Sequence, residues 1–157
     1  MLVDGCVACA MLTRKFAPPG GIIHDAGDWV IFLRSQPLLA PGQGFIVLKR
    51  RCEHLRELSA AELATPGPLL QRTKAVYHRI LHTERVHFGL YAEDVRRIHW
   101  HIAPRLTTLP AGNIPLTLLG LWRGALARLR LWRLFDDYTV AMVAAELRTA
   151  YHHPPTP

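Results

Sequence analysis

Within residues 96–105, RRIHWHIAPR, polar and apolar side chains alternate from Arg97 to Ile102. Alternation with a period of two is typical of a β-strand that buries one face, because successive side chains point to opposite sides of the sheet. Three apolar residues would enter the core: Ile98, Trp100 and Ile102. The opposite face would carry Arg97, His99 and His101. The segment therefore predicts a strand with one apolar face and a row of basic and imidazole side chains on the other.

The row of two imidazoles and a guanidinium suits an anionic ligand. Alternate residues of a strand lie about 7 Å apart at their Cα atoms, so His99 and His101 could reach neighbouring atoms of one group. Imidazole attacks phosphorus or donates a proton, and arginine neutralises charge, so a phosphate is favoured. The spacing alone is equally compatible with an edge strand whose solvated face carries two histidines.

Residues 99–105, HWHIAPR, resemble the end of the histidine triad (HIT) signature, in which three histidines alternate with apolar residues and Pro-Arg often follows. His99 aligns with the middle histidine and His101 with the third, while Arg97 stands at the position of the first. Residues 6–9, CVAC, are similar to the Cys-x-x-Cys of many members, and residues 44–55 resemble the strand that leads into the family's "PKRH" loop. The resemblance extends over residues 4–110 and a C-terminal helix near 139–151.

The resemblance implies an α+β fold with an antiparallel sheet of about five strands, one main helix and a C-terminal helix. It also implies a nucleotide hydrolase or nucleotidyl transferase, acting on phosphoanhydrides or phosphoramidates through a nucleotidyl-histidine intermediate. His99 would be the nucleophile and His101 a proton donor, while Arg97 and Arg105 would bind substrate phosphate. No cofactor would be required for catalysis. Two subunits commonly pair in the family, so a homodimer is expected.

The resemblance also raises the question of structural zinc, with Cys6 and Cys9 as weak candidate ligands. In members with Cys-x-x-Cys, the first histidine and the histidine of the "PKRH" loop complete the site. Here those positions hold Arg97 and Arg51, and arginine stays protonated and cannot ligate. Cys52 or His54 could substitute only after a shift of the loop. We therefore expect no stoichiometric zinc.

Other positions also depart from the family. The acidic residue that contacts ribose near the end of the second strand is replaced by Arg34 or Ser35, and the Asn and Ser that often precede the signature are not evident in 89–95. The added arginines favour a more anionic substrate, such as a dinucleoside polyphosphate. The alternative to an enzyme is a non-enzymatic nucleotide or nucleic-acid binding module with a degenerate triad.

Composition sets outer limits on these interpretations. With 157 residues, 50% of them hydrophobic and 20% charged, the chain is expected to form a single globular domain over 1–157. A net charge of +7 favours an anionic partner, although nucleotide, nucleic acid and acidic lipid all qualify. Three cysteines, no basic n-region at the start and no long apolar run predict a cytoplasmic protein without a membrane span.

The same patterns locate the secondary structure. Strands are predicted at 22–24, 29–33, 45–49, 85–91 and 97–103, with a hairpin between the first two. A capping box at Ser59 and Glu62 begins a helix that the prolines at 66 and 68 interrupt, and the main helix then runs to about His82. A further amphipathic helix is predicted at Thr139–Tyr151. Strands, helix, strands and helix in that order indicate an α+β protein.

Residues 116–135 mix leucine and tryptophan with arginines that do not share one helical face. We favour a segment that packs across the sheet or against a dimer partner. The alternative is a basic apolar flap that contacts phosphate, RNA or anionic lipid.

Overall fold

A computed structural model describes residues 7–13, 15–37, 39–91, 95–106, 116–129 and 135–153. Five strands form one antiparallel sheet in the order β1-β2-β3-β5-β4. The strands are β1 (Ile22–Ala26), β2 (Trp29–Leu33), β3 (Gly44–Leu48), β4 (Arg85–Gly89) and β5 (His99–Arg105). The helices are α1 (Val7–Leu12), α2 (Ala60–Ala64), α3 (Pro66–Leu81), α4 (Leu116–Arg128) and α5 (Asp137–His152), with a single 3-10 turn at Leu55–Glu57. The α+β architecture with an antiparallel sheet is confirmed.

The capping box and the end of the main helix lie where the sequence predicts them, but the main helix begins at Pro66 rather than at Pro68. The Ser59 hydroxyl accepts from the Glu62 backbone N–H at 3.2 Å, and the Glu62 carboxylate accepts from the Ser59 N–H at 2.7 Å, which completes the capping box of α2. Pro66 then opens α3 at a position where its missing N–H costs nothing. His82 ends α3 in the left-handed conformation, with φ of 49°.

The core lies mainly between one face of the sheet and the helices α3 and α5. Ile98 and Ile102 are each only 1% exposed in this core, and Trp100 packs against it. The core's partners from the two helices include Val76, Tyr77, Val140 and Leu147. The alternation predicted for this stretch is therefore confirmed: the apolar residues of β5 face the helices, and the side chains between them face away.

The opposite face of the sheet carries a smaller apolar cluster, formed by Met11, Val30, Phe32 and Val47. Met11 belongs to α1, which the sequence did not predict because the helix has only six residues and no acidic residue in its first turn. Covering this half of the face leaves the neighbouring half, around β5, for polar side chains.

The predicted start of the last strand needs correction. The strand placed at 97–103 begins at His99, because the Ile98 N–H donates to the Cys52 carbonyl at 2.9 Å in the segment after β3. Arg97 therefore precedes the strand rather than belonging to it. Residues 92–94, which would join the strands predicted at 85–91 and 97–103, lie outside the described residues.

The unassigned stretch 116–135 contains the helix α4, and residues 130–134 lie outside the described part. Buried Arg123 donates to the Leu39 carbonyl at 3.4 Å, so this point of α4 packs against the loop between β2 and β3. Among the described residues of this stretch, the exposed large apolar side chains are Leu118, Leu121, Trp122 and Leu129. A role in dimer contact stays a prediction. Within the described residues, no helix is both long and apolar enough to cross a bilayer.

Candidate functional site

His99 and His101 lie side by side on the sheet face that points away from α3 and α5. Antiparallel pairing sets His99 opposite Val47 and His101 opposite Phe45 on β3. The two Nε2 atoms are 3.0 Å apart. His99 is only 8% exposed, and His101 is partly buried. The alternation along β5 thus brings both imidazoles to one point at the surface.

Backbone contact fixes the proton position on His99. Its Nδ1 lies 2.6 Å from the Arg97 carbonyl oxygen. A carbonyl only accepts hydrogen bonds, so Nδ1 must carry a proton, and in a neutral imidazole Nε2 then holds a lone pair. When both rings are neutral, the His101 Nε2–H donates a hydrogen bond to that lone pair. His99 therefore offers a nucleophilic nitrogen, and His101 offers a hydrogen-bond donor directly beside it.

Electrostatics around His101 agree with this arrangement. Burial of the ring, followed by the repulsion that would arise if His99 were protonated as well and by the charge of Arg34, lowers the pKa of His101 from an ordinary value of 6.5 to about 4. The ring is accordingly neutral near pH 7, with one N–H to donate. A doubly protonated His101 would place an unfavourable second cation at this partly buried point.

Two aromatic rings pack against the imidazoles. The Phe45 ring meets His99 edge-on at 5.8 Å between centroids and His101 at 5.1 Å, and Tyr91 meets His101 at 5.3 Å. Gly89 makes room for this packing, because a Cβ built there would lie 2.5 Å from the Tyr91 ring. Sequence reasoning missed these residues, although a glycine near the end of a predicted strand is a signal of close approach.

Arg97 is on the site's side of the sheet, but its guanidinium is engaged with the protein. The residue is 6% exposed, and Nε and Nη2 donate to the Leu48 carbonyl at 3.0 and 2.6 Å. Nη2 also donates to the Lys49 carbonyl, and Nη1 to Cys9 Sγ at 3.3 Å. Arg97 thus ties the end of β3 and helix α1 to the start of β5. Phosphate binding by Arg97 stays a prediction, and these contacts favour a positioning role instead.

Arg105, the other predicted phosphate ligand, is the last residue of β5 and pairs with Arg85 on β4. Arg105 lies four positions after His101 along the strand, so their Cα atoms are roughly 13 Å apart. The structure therefore does not bring Arg105 beside the imidazoles, and its phosphate contact stays a prediction.

The described residues do not form a zinc site. Cys6 lies outside them, and Cys9 faces the Arg97 guanidinium, a cation that cannot ligate. Buried Cys52 directs its thiol to the His54 carbonyl at 3.3 Å. Nowhere in the described part of the chain do three His, Cys, Asp or Glu side chains come close enough together to hold a metal. The expectation of no stoichiometric zinc stays a prediction.

Three solved structures illustrate what the fold is similar to. A hypothetical histidine triad nucleotide-binding protein from Sulfolobus tokodaii has a TM-score of 0.68 at 11% identity, with 94% of this chain and 92% of that chain covered. A zinc-bound histidine triad family protein from Mycobacterium smegmatis has a TM-score of 0.64 at 15% identity, covering 94% and 96%. The diadenosine triphosphate hydrolase of Plasmodium falciparum has a TM-score of 0.60 at 13% identity, covering 85% and 77%.

The chain has the fold of the histidine triad proteins, which confirms the resemblance found in residues 99–105. No family model and no curated protein matches the sequence itself. At 11–15% identity the similarity establishes the fold, and the roles of individual residues rest on the geometry of the site.

Proposed function

We propose that the protein is a nucleotide hydrolase or nucleotidyl transferase of the histidine triad type, with His99 as its nucleophile. The observation that carries the proposal is the tautomer of His99, whose Nδ1–H donates to the Arg97 carbonyl and whose Nε2 therefore carries the lone pair that attacks once the His101 N–H turns to the substrate. The likeness in fold to a diadenosine triphosphate hydrolase supports this class of substrate.

In the first step, His99 Nε2 forms a bond to the phosphorus of the substrate, and the bond from phosphorus to the leaving group breaks. The N–H of neutral His101, whose Nε2 lies 3.0 Å from the attacking nitrogen, turns to donate a hydrogen bond to the leaving group. A phosphate departs as an anion, and an amine takes its proton from water. The positive charge that develops on the His99 ring is stabilised through Nδ1–H by the Arg97 carbonyl. The product of this step is a nucleotidyl-histidine and a released leaving group.

In the second step, water or another acceptor attacks the same phosphorus, and the bond to His99 Nε2 breaks. The acceptor's proton passes to solvent, and the electron pair of the broken bond returns to His99 Nε2, so both rings regain their starting protonation. Splitting one displacement into two is the advantage of covalent catalysis. Water as the acceptor gives hydrolysis, and a nucleophile of the cell gives transfer. A cytoplasmic location and a homodimer stay predictions.

The test is turnover of a nucleotide panel by the parent protein, His99→Ala and His87→Ala. His87 is an exposed histidine of β4 and serves as the matched control. We expect the parent and the His87 variant to release mononucleotide from at least one phosphoanhydride or phosphoramidate, and His99→Ala to be inactive. Nucleotide binding without turnover in the parent would instead support the non-enzymatic binding module.

A further inference from the structure

We infer that Arg34 binds a second anionic group of the substrate, beyond the phosphate that His99 attacks. The inference rests on the proposed function for the identity of the ligand as a nucleotide. Its evidence comes from the position of Arg34 on the sheet, which is independent of the catalytic step.

Strand register places Arg34 on the same face as the two histidines. Phe32 of β2 pairs with Phe45 of β3, and Phe45 pairs with His101 of β5, so these three side chains form one row across the sheet. The Arg34 N–H donates to the Gln43 carbonyl at 2.8 Å, which continues the ladder beyond the last residue of β2. Two residues along from Phe32, the Arg34 side chain emerges on the face of that row.

The backbone around Arg34 is held in place by α5. The Asp137 carboxylate accepts from the Ser35 hydroxyl at 2.7 Å and from the Gln36 N–H at 3.2 Å. This carboxylate is thereby occupied with the two residues that follow Arg34. The loop is anchored, while the arginine side chain itself is exposed.

Charge and exposure distinguish Arg34 from Arg97. Arg97 is buried and donates to backbone carbonyls, whereas Arg34 is exposed and, within the described residues, takes part in no ion pair. The positive charge of Arg34 is the smallest of three causes that lower the pKa of His101, in agreement with a guanidinium on the same face as the site. An anion bound beside His101 would therefore be stabilised by Arg34.

The separation fits a second group rather than the reacting one. Arg34 lies two strands away from His101 and is offset from it by two residues in the strand direction. This puts their Cα atoms roughly 12 Å from each other. An arginine side chain spans about half of that gap, so its fork reaches the substrate next to the attacked phosphate and not the phosphorus itself. A guanidinium binds phosphate oxygens in pairs, which makes a second phosphate the matching chemistry.

That second phosphate has two sources. It is either the next phosphate of a polyphosphate leaving group or a phosphate carried on the ribose. Adenosine 5′-(α,β-methylene)diphosphate and adenosine 3′,5′-bisphosphate represent the two sources without a cleavable anhydride, and AMP lacks the second group.

The experiment measures equilibrium dissociation constants of these three nucleotides for the parent, Arg34→Gln, Arg34→Lys and Arg56→Gln. Arg56 is an exposed arginine of the 3-10 turn and is the matched control. We expect the parent to bind one of the two-phosphate nucleotides about 10- to 100-fold more tightly than AMP, as for a charge-assisted hydrogen bond. In Arg34→Gln the preference over AMP should disappear, so that the ratio of affinities falls to about 1. Arg34→Lys should retain part of the preference, and Arg56→Gln should retain all of it. The nucleotide that is preferred identifies the source.

Equal affinity for all three nucleotides in the parent would overturn the inference, and so would a ratio in Arg34→Gln that matches Arg56→Gln. Because the measurement is of binding, its failure is distinct from a failure of turnover by the parent, which would count against the proposed function alone.

Discussion

The two faces of the central sheet are built on different principles. Toward α3 and α5, β3 and β5 present Ile46, Leu48 and Ile102, whose contacts are apolar and spread over many neighbours. Toward the other side, His99 and His101 pack against Phe45 and Tyr91, but their function depends on directed contacts to one carbonyl and to each other. The first face is specified by hydrophobicity and volume, so a sequence pattern is enough to predict it. The second is specified by individual atoms.

The largest effect is expected from His99→Ala, which removes the nucleophile from the directed face. Turnover should fall at least about a thousandfold, equivalent to ~4 kcal/mol of transition-state stabilisation. Nucleotide binding should stay within about tenfold, since other contacts to the nucleotide remain. Steady-state kinetics together with binding titrations measure both quantities. Turnover at the parent's rate would exclude His99 as the nucleophile.

Ile102→Ala should lower stability and leave turnover almost unchanged, although Ile102 adjoins His101 in sequence. It is 1% exposed on the helix face, and truncating a buried isoleucine leaves a cavity. We expect a loss of about 2–5 kcal/mol in the free energy of unfolding, measured by chemical denaturation. Below the unfolding transition, kcat should change by less than about threefold, or ~0.7 kcal/mol. A variant as stable as the parent would show that this face is not the core of the fold.

Arg97→Met tests whether Arg97 supports the fold or binds phosphate, because Arg97 lies on the site's side of the sheet but contacts the backbone. Losing the guanidinium leaves the Leu48 and Lys49 carbonyls without these donors, which should cost about 1–3 kcal/mol in the free energy of unfolding. Turnover should fall much less than in His99→Ala, with kcat affected more than KM. A raised KM at unchanged stability would instead restore the phosphate-binding role predicted from the sequence.

The smallest effect concerns pH. Because the pKa of His101 is lowered to about 4 in the folded protein from an ordinary 6.5, the unfolded chain binds this proton more readily between those values. The contribution of His101 to stability is therefore full above pH 6.5 and declines as the pH falls to about 4. Melting temperatures over this range should drop less steeply in His101→Gln than in the parent. Parallel profiles would contradict a neutral, partly buried His101.

The sequence predicted the five strands, the capping box and the main helix because each depends on local periodicity or on a local hydrogen-bond pattern. It also brought His99 and His101 to one face. It did not predict that Arg97 turns inward, because this depends on the Leu48 and Lys49 carbonyls of a strand distant in sequence. The tautomer of His99 was equally out of reach, since it depends on one backbone oxygen.

Helix α4 shows the other limit of the sequence patterns. Interleaved leucine and arginine gave no clear period, and the helix became evident only from its backbone and from the contact between Arg123 and the Leu39 carbonyl. A basic residue that is buried for packing and one that is exposed for binding look the same in a sequence. Arg97 and Arg34 illustrate that difference at the site itself.

The proposed mechanism requires a covalent bond between a nucleotide and His99, and intact-protein mass spectrometry detects such a bond. The parent and His99→Ala are mixed with an adenylyl substrate, stopped in denaturant without acid during the first turnover, and then digested to locate any adduct. We expect a mass increase of one adenylyl group on the peptide that contains His99 in the parent, and no increase in His99→Ala. Turnover without an adduct in the parent, or the same adduct in His99→Ala, would contradict it.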